Sequence, residues 1–287
     1  MNQVIAAVDG SATALDAARW AAREAAPRGL PLRLLHVYPP PPPRLRTAAA
    51  VDGRWATAMA EQADRVLAEA SAAARAAVPG IDPVLDQRVG VPSRVLIELS
   101  ERAHALVLGN RGLGGFRGLL AGSLALALAA HAHSPVVVVR GSAPEQAPVV
   151  VGVDHTPAAD GVLAFAFDEA AHRRVPLRAV HTWLDIEYFG GAVPLPYLVD
   201  WEGIQQEEDT VLAERLARWT EKYPDVPVTR RVARGRAAGA LVGDSEGAQL
   251  LVVGSHFHNP FAGVTAGATA QAVLHHSSCP VAVVPVR

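Results

Sequence analysis

Short apolar runs separated by longer stretches of helical periodicity recur along the whole chain. Ala105-Leu-Val-Leu108 and Val136-Val-Val-Val139 show no polar alternation, the pattern of strands covered on both faces by helices. The runs predict strands at Gln3–Val8, Leu32–Tyr38, Val84–Val89, Ala105–Leu108 and Val136–Arg140. Between them the periodicity predicts helices at Ala12–Ala26, Trp55–Val78, Ser93–Glu101 and Ser123–His131. A second set of strands is expected at Val149–Val153, Leu177–Trp183, Val228–Ala233, Leu250–Val253 and Val281–Val286. Alternating strands and helices of this kind build β/α units around a mainly parallel sheet.

The second set repeats the first at an offset of 145 residues. Val4, Val8 and Asp9 return as Val149, Val153 and Asp154, and Pro31-Leu32-Arg33 with His36 returns as Pro176-Leu177-Arg178 with His181. The register then holds: Gly90 to Gly235, Gly109 to Gly254, Phe116 to Phe261, Gly118 to Gly263, Gly122 to Gly267, His131 to His276 and Pro135 to Pro280. One register kept over so many positions is a duplicated domain. The expected architecture is therefore two tandem open, mainly parallel five-stranded sheets with helices on both faces, Rossmann-like and doubly wound. The domains fall at residues 1–141 and 148–287, with a short linker at Ser142–Pro148.

Composition narrows the function classes. With 26 basic and 28 acidic residues among 287 and a formal net charge of −2, no block of like charge offers a nucleic-acid groove or a polybasic membrane surface. The single cysteine, Cys279, lies in an apolar run, so no intrachain disulfide is possible and a reducing cytoplasm is expected. The amino-terminal stretch lacks a basic start and a long apolar core, and no run approaches the roughly 18–20 apolar residues of a membrane span. A soluble protein is expected. Two segments break the strand–helix rhythm: the five prolines Pro39–Pro43 and the insert Leu184–Pro196. The prolines read as a stiff surface connection near the sheet's carboxyl edge.

The candidate chemistry centres on Gly109–Ser123, Gly-Asn-Arg-Gly-Leu-Gly-Gly-Phe-Arg-Gly-Leu-Leu-Ala-Gly-Ser, placed between a predicted strand and a predicted helix. Glycines let backbone approach an anion, and the first N–H groups of the helix offer donors to a phosphate. The order Gly-x-x-Gly, nine residues, Gly-Ser is not a Walker A loop, because no lysine follows the last glycine. Asp9 ends the first strand ahead of Gly10 and Ser11, an arrangement that caps the next helix and leaves a carboxylate at the rim. If the first and fourth strands are neighbours, that carboxylate faces the glycine loop.

On these residues the chain resembles the universal stress protein family in its tandem form, with the motif of the ATP-binding subset at Gly109, Gly112, Gly122 and Ser123. The Val8-Asp-Gly-Ser11 start, His36-Val37 and Ser134-Pro-Val-Val-Val138 are similar to that family as well. The resemblance implies that Asp9, with Ser11 beside it, contacts the ribose and a Mg²⁺ ion, and that backbone near Val37 meets the adenine. It implies that Gly109, Arg111 and Gly112 line the ribose and phosphates, and that Gly122 and Ser123 hold the terminal phosphates of ATP. It also implies an ATP-dependent stress-signalling role without fast catalysis, with slow hydrolysis or a nucleotide-independent interaction module as alternatives. The resemblance also implies a homodimer, commonly formed through the fifth strand, for which Val136–Arg140 and Val281–Val286 are exposed candidates; the two domains pairing within one chain is the alternative.

The second copy departs from the motif. Phe257 stands where the second glycine should be, Ala268 replaces the serine, and Asn259-Pro260 replaces two glycines, so weak or absent nucleotide binding is expected there. His256, His258, His275 and His276 lack a cysteine partner or a fixed carboxylate spacing. His131 and His276 fit helix ends, where a cation offsets the dipole. Trp20, matched by Phe165, reads as core. Arg111 is expected inside the cradle, whereas Arg117 suits water equally.

Overall fold

The computed structural model describes residues 2–40, 53–112, 122–141, 144–156, 159–183, 200–255 and 267–286. The chain divides into two compact units, Met1–Arg140 and Gly141–Arg287. In the first, the strands are β1 (Val4–Ala7), β2 (Leu32–Tyr38), β3 (Val84–Val89), β4 (Ala105–Gly109) and β5 (Val136–Val139). The helices are α1 (Ala12–Ala25), α2 (Arg54–Ala77), α3 (Pro92–Ser100) and α4 (Ser123–His131). The strand order is β3-β2-β1-β4-β5, and each of these pairings is parallel. The chain therefore winds outward from β1 in one direction through β2 and β3, then crosses to β4 and β5 on the other side. That places the reversal of winding between β1 and β4, with Ala6 opposite Val107.

Small residues let the layers approach. α1 buries Ala14, Ala17, Ala18, Ala21, Ala22 and Ala25 on one stripe, the spacing of an amphipathic helix laid on a sheet. It packs on α2, while α3 packs on α4, so the two pairs cover the two faces of the sheet. The valines of β5 are buried, with α1 and α4 against that strand. The expectation that Val136–Arg140 is exposed is corrected accordingly: a strand covered on both faces needs apolar side chains throughout. Trp20 is half-buried rather than in the core, as is its counterpart Phe165; among the described residues of the second unit, Phe167 and Trp183 are buried aromatics.

The second unit repeats the plan with β6 (Val149–Val153), β7 (Leu177–Trp183), β8 (Val228–Arg234), β9 (Leu250–Gly254) and β10 (Val281–Val284). Its helices are α5 (Ala159–Arg173), α6 (Trp201–Lys222), α7 (Ala237–Asp244) and α8 (Ala268–His276). The order β8-β7-β6-β9-β10 is again parallel throughout. β10 is as buried as β5, which likewise corrects the exposed reading of Val281–Val286. Trp183, closing β7, stacks on Trp201, opening α6, at 6.0 Å, and the Arg234 guanidinium lies 3.8 Å over the Trp201 ring. Most of the Pro39–Pro43 run and of the insert lies outside the described residues. Among the described residues, no helix is long and apolar enough to cross a membrane.

Candidate functional site

At the carboxyl ends of β1 and β4 the chain builds a narrow, polar junction. Asp9 follows β1, and Oδ1 of its carboxylate accepts the Ser11 N–H at 3.0 Å. Gly10 turns there with φ +88°, a conformation that L side chains avoid. Ser11 is the N-cap of α1, its hydroxyl accepting from the Ala14 N–H at 3.2 Å. The helix cap is thus Ser11, and Asp9 holds the turn that precedes it.

Across the junction, the carbonyl of Arg111 accepts hydrogen bonds from the Ser11 hydroxyl, at 3.3 Å, and from the Thr13 hydroxyl. A Cβ at Gly109 would lie 2.6 Å from the backbone of Thr13. A Cβ at Gly112 would lie 2.5 Å from Oδ2 of Asp9. Both glycines are therefore required by close approach, Gly109 to the start of α1 and Gly112 to the carboxylate. Arg111 is exposed, and the structure fixes its carbonyl against α1. Thr13 is a junction residue that the motif did not reveal, because it acts across 98 residues of sequence.

Gly122 and Ser123 open α4. Gly122 is its N-cap, no side chain caps it, and a Cβ there would meet nothing within 4 Å. Among the described residues, the helix start therefore presents open space and N–H groups, the arrangement that receives anions. Val37 sits near the end of β2, the strand next to β1, opposite Arg88 of β3. The structure thus joins Asp9, Ser11, Gly109, Arg111 and Gly112 directly. It sets Val37 one strand away and Gly122 and Ser123 at the following helix start. Residues 113–121, with Arg117, lie outside the described residues.

The second unit keeps the turn and changes what surrounds it. Oδ1 of Asp154 accepts from the Thr156 N–H at 3.0 Å and from its hydroxyl at 2.6 Å. Arg215 of α6 reaches under this turn and donates to the carbonyls of Thr156, at 2.8 Å, and of His155. Gly254 meets only side-chain tips, Val286 at 3.0 Å and Val162 at 3.3 Å. α8 again starts after an uncapped glycine, Gly267, but with Ala268 in place of a hydroxyl residue. Phe257, Asn259 and the pair His256 and His258 lie outside the described residues. His131 and His276 occupy the last turns of α4 and α8. Cys279 is buried.

Residues 1–140 and 147–285 each match the family model described as the universal stress protein family. The chain is 40% identical to a universal stress protein of Mycobacterium tuberculosis, with 98% of this chain and 96% of that protein covered. A universal stress protein of Mycolicibacterium smegmatis is 37% identical, with 99% and 97% covered. Among solved structures, a universal stress protein from Archaeoglobus fulgidus aligns over 99% of this chain and 96% of its own, with a TM-score of 0.70 at 19% identity. That likeness speaks to the fold.

Proposed function

The chain belongs to the universal stress protein family, and from that premise we propose that its first unit binds ATP with Mg²⁺ and acts through its nucleotide state in stress signalling. The carrying observation is the close approach of Asp9 and Gly112 at the reversal of winding, beside an α4 start that no side chain caps. In open parallel sheets, ligands bind at this reversal, outside the carboxyl ends of the strands. The Gly109, Gly112, Gly122 and Ser123 spacing supports a phosphate as the anion, and in this reading the backbone near Val37, at the end of β2, would meet the base.

Mg²⁺ ordinarily takes one or two carboxylates together with phosphate oxygens. Asp9 supplies one such carboxylate, so the donor set fits. The ion would neutralise charge on the phosphates, while Ser123 and the N–H groups of α4 hold the terminal ones. Gly109–Ser123 contains no lysine, and phosphoryl transfer at enzymatic rates relies on dense charge stabilisation. The reading is therefore of a nucleotide-bound signalling state, with hydrolysis slow or absent. Family resemblance supports a homodimer, and the lone buried Cys279 supports a reducing, cytoplasmic setting.

Heat denaturation of the purified chain followed by chromatography tests the site. Adenine nucleotide is expected in the supernatant of the natural chain and absent from Asp9→Ala and Gly112→Glu, both still folded by circular dichroism. Unchanged nucleotide in both variants would remove the assignment.

A further inference from the structure

In the second unit three donor side chains converge at the corresponding strand ends. Oε2 of Glu208, on α6, lies 3.1 Å from Nε2 of His181, on β7, and 3.1 Å from Nε2 of His155, just after β6. The two imidazole rings meet edge to face, with centroids 4.3 Å apart at 63°. All three donor atoms lie within 4.8 Å of one another. Glu208 and His181 are buried, whereas the His155 side chain is 51% exposed.

The tautomer of His181 is set by its other nitrogen. Nδ1 lies 2.8 Å from the Val153 carbonyl, and a carbonyl only accepts, so Nδ1 carries a hydrogen. A ring held in this way turns Nε2 toward its ligand, and a backbone carbonyl on the far nitrogen is a usual support for a metal-bound histidine. The first unit has the same support, with Nδ1 of His36 lying 2.7 Å from the Val8 carbonyl, but it lacks the other two donors. At the offset of 145, His155 corresponds to Gly10 and Glu208 to Ala63. The second copy thus retains the oriented imidazole and adds a carboxylate and a second imidazole aimed at one point.

We propose that His155, His181 and Glu208 form a three-ligand site for a divalent transition metal of the zinc class, its fourth position open to solvent on the His155 side. Zinc–nitrogen and zinc–oxygen bonds of about 2.0–2.2 Å at tetrahedral angles separate neighbouring ligand atoms by about 3.3–3.6 Å. The observed 3.1 Å separations are a few tenths of an ångström shorter, so the donors already stand close to the spacing an ion would set. Two imidazoles among three ligands select against Mg²⁺ and Ca²⁺, which favour an all-oxygen shell. One ion at this point would be held by all three donors together. Two histidines and one glutamate leave a coordination position for water or an anionic oxygen. This site is separate from the nucleotide reading of the first unit and stands without it.

The test is calorimetric titration of the full, chelator-stripped chain with Zn²⁺, repeated with Co²⁺ to read tetrahedral coordination from its visible absorption. One equivalent is expected to bind, with a cobalt spectrum of tetrahedral type. Glu208→Gln and His155→Ala are each expected to weaken it by more than the roughly 10–100-fold typical of losing a second-shell partner. His275→Ala and His276→Ala are expected to bind as before. His155 is half exposed, so its truncation leaves the core intact and decides the matter even if Glu208→Gln misfolds. Absence of zinc binding in the natural chain, or an undiminished equivalent in folded His155→Ala, overturns the proposal.

Discussion

Three positions near the strand ends carry small residues in the first unit and large polar ones in the second. Gly10, Ala63 and Ala70 of the first correspond to His155, Glu208 and Arg215 of the second. Ala63 and Ala70 are fully buried, so α2 lies flat and apolar behind the strand ends. Its counterpart α6 instead sends Glu208 to the two histidines and Arg215 to the carbonyls of the turn after β6. Strands, winding and uncapped helix starts are common to both. The comparison teaches that two copies of one β/α scaffold can share strands and winding while a few rim positions change the side chains gathered at the reversal point.

The largest effect that separates the two crevices is steric. In Gly109→Ala the new methyl group meets the backbone of Thr13 at 2.6 Å, so α1 or β4 must shift, at a cost of about 3 kcal/mol. In Gly254→Ala the contacts are side-chain tips at 3.0 and 3.3 Å, which rotate aside, and about 1 kcal/mol or less is expected. Amide hydrogen exchange in β4 and β9 reads the two separately. Equal loss of protection in both would show that the tight approach of Gly109 to α1 is not special to the first unit.

Next in size is the hydroxyl at the helix start. Ser123→Ala is expected to weaken nucleotide binding about 10-fold, the value of one hydrogen bond to a charged group, whereas the mirror change Ala268→Ser is expected to give no measurable binding. Equilibrium dialysis with labelled ATP checks both. Gain of binding in Ala268→Ser would mean that the two crevices differ by that hydroxyl alone.

The smallest effect concerns an exposed ion pair of the second unit. Asp209 and Arg230 are joined by two hydrogen bonds, at 3.1 and 3.0 Å, where the first unit has Asp64 and the exposed Leu85. The hydrogen bonds from Arg230 hold the Asp209 carboxyl below its ordinary range. A lowered carboxyl contributes stability above its unfolded value, about 3.9, and loses that contribution as pH falls through the folded value. Asp209→Asn is therefore expected to cost about 0.2–1 kcal/mol at neutral pH and progressively less in acid below about pH 4. Added salt should shrink the difference too. Urea unfolding at neutral and acid pH measures it, and a difference that grows in acid would contradict the assigned direction.

What was readable in the sequence was whatever depends on local pattern. Continuous valine and leucine runs can only be strands covered on both faces, which is why β5 and β10 are legible in four residues each. The glycines of the motif were legible because the absence of a side chain is itself the requirement. Thr13 was not, since its hydroxyl meets a carbonyl far along the chain, and a threonine in a first helical turn carries no such mark. Exposure of the fifth strands belongs to the family resemblance alone; their continuous apolar runs are those of covered strands, and the structure shows them buried.

The amino-acid sequence by itself determined the duplication, the β/α rhythm and the inequality of the two glycine loops, because each is a matter of residue order and of small against large side chains. Only the tertiary structure decided that Asp9 and Gly112 touch. Only it could bring His155, His181 and Glu208, from three separate elements, to one point. Such convergence is set by strand order and helix packing, which depend on contacts summed over a whole unit. The register between the copies held one usable sign: at two matched positions, a glycine and a buried alanine give way to a histidine and a glutamate beside a histidine that both copies keep.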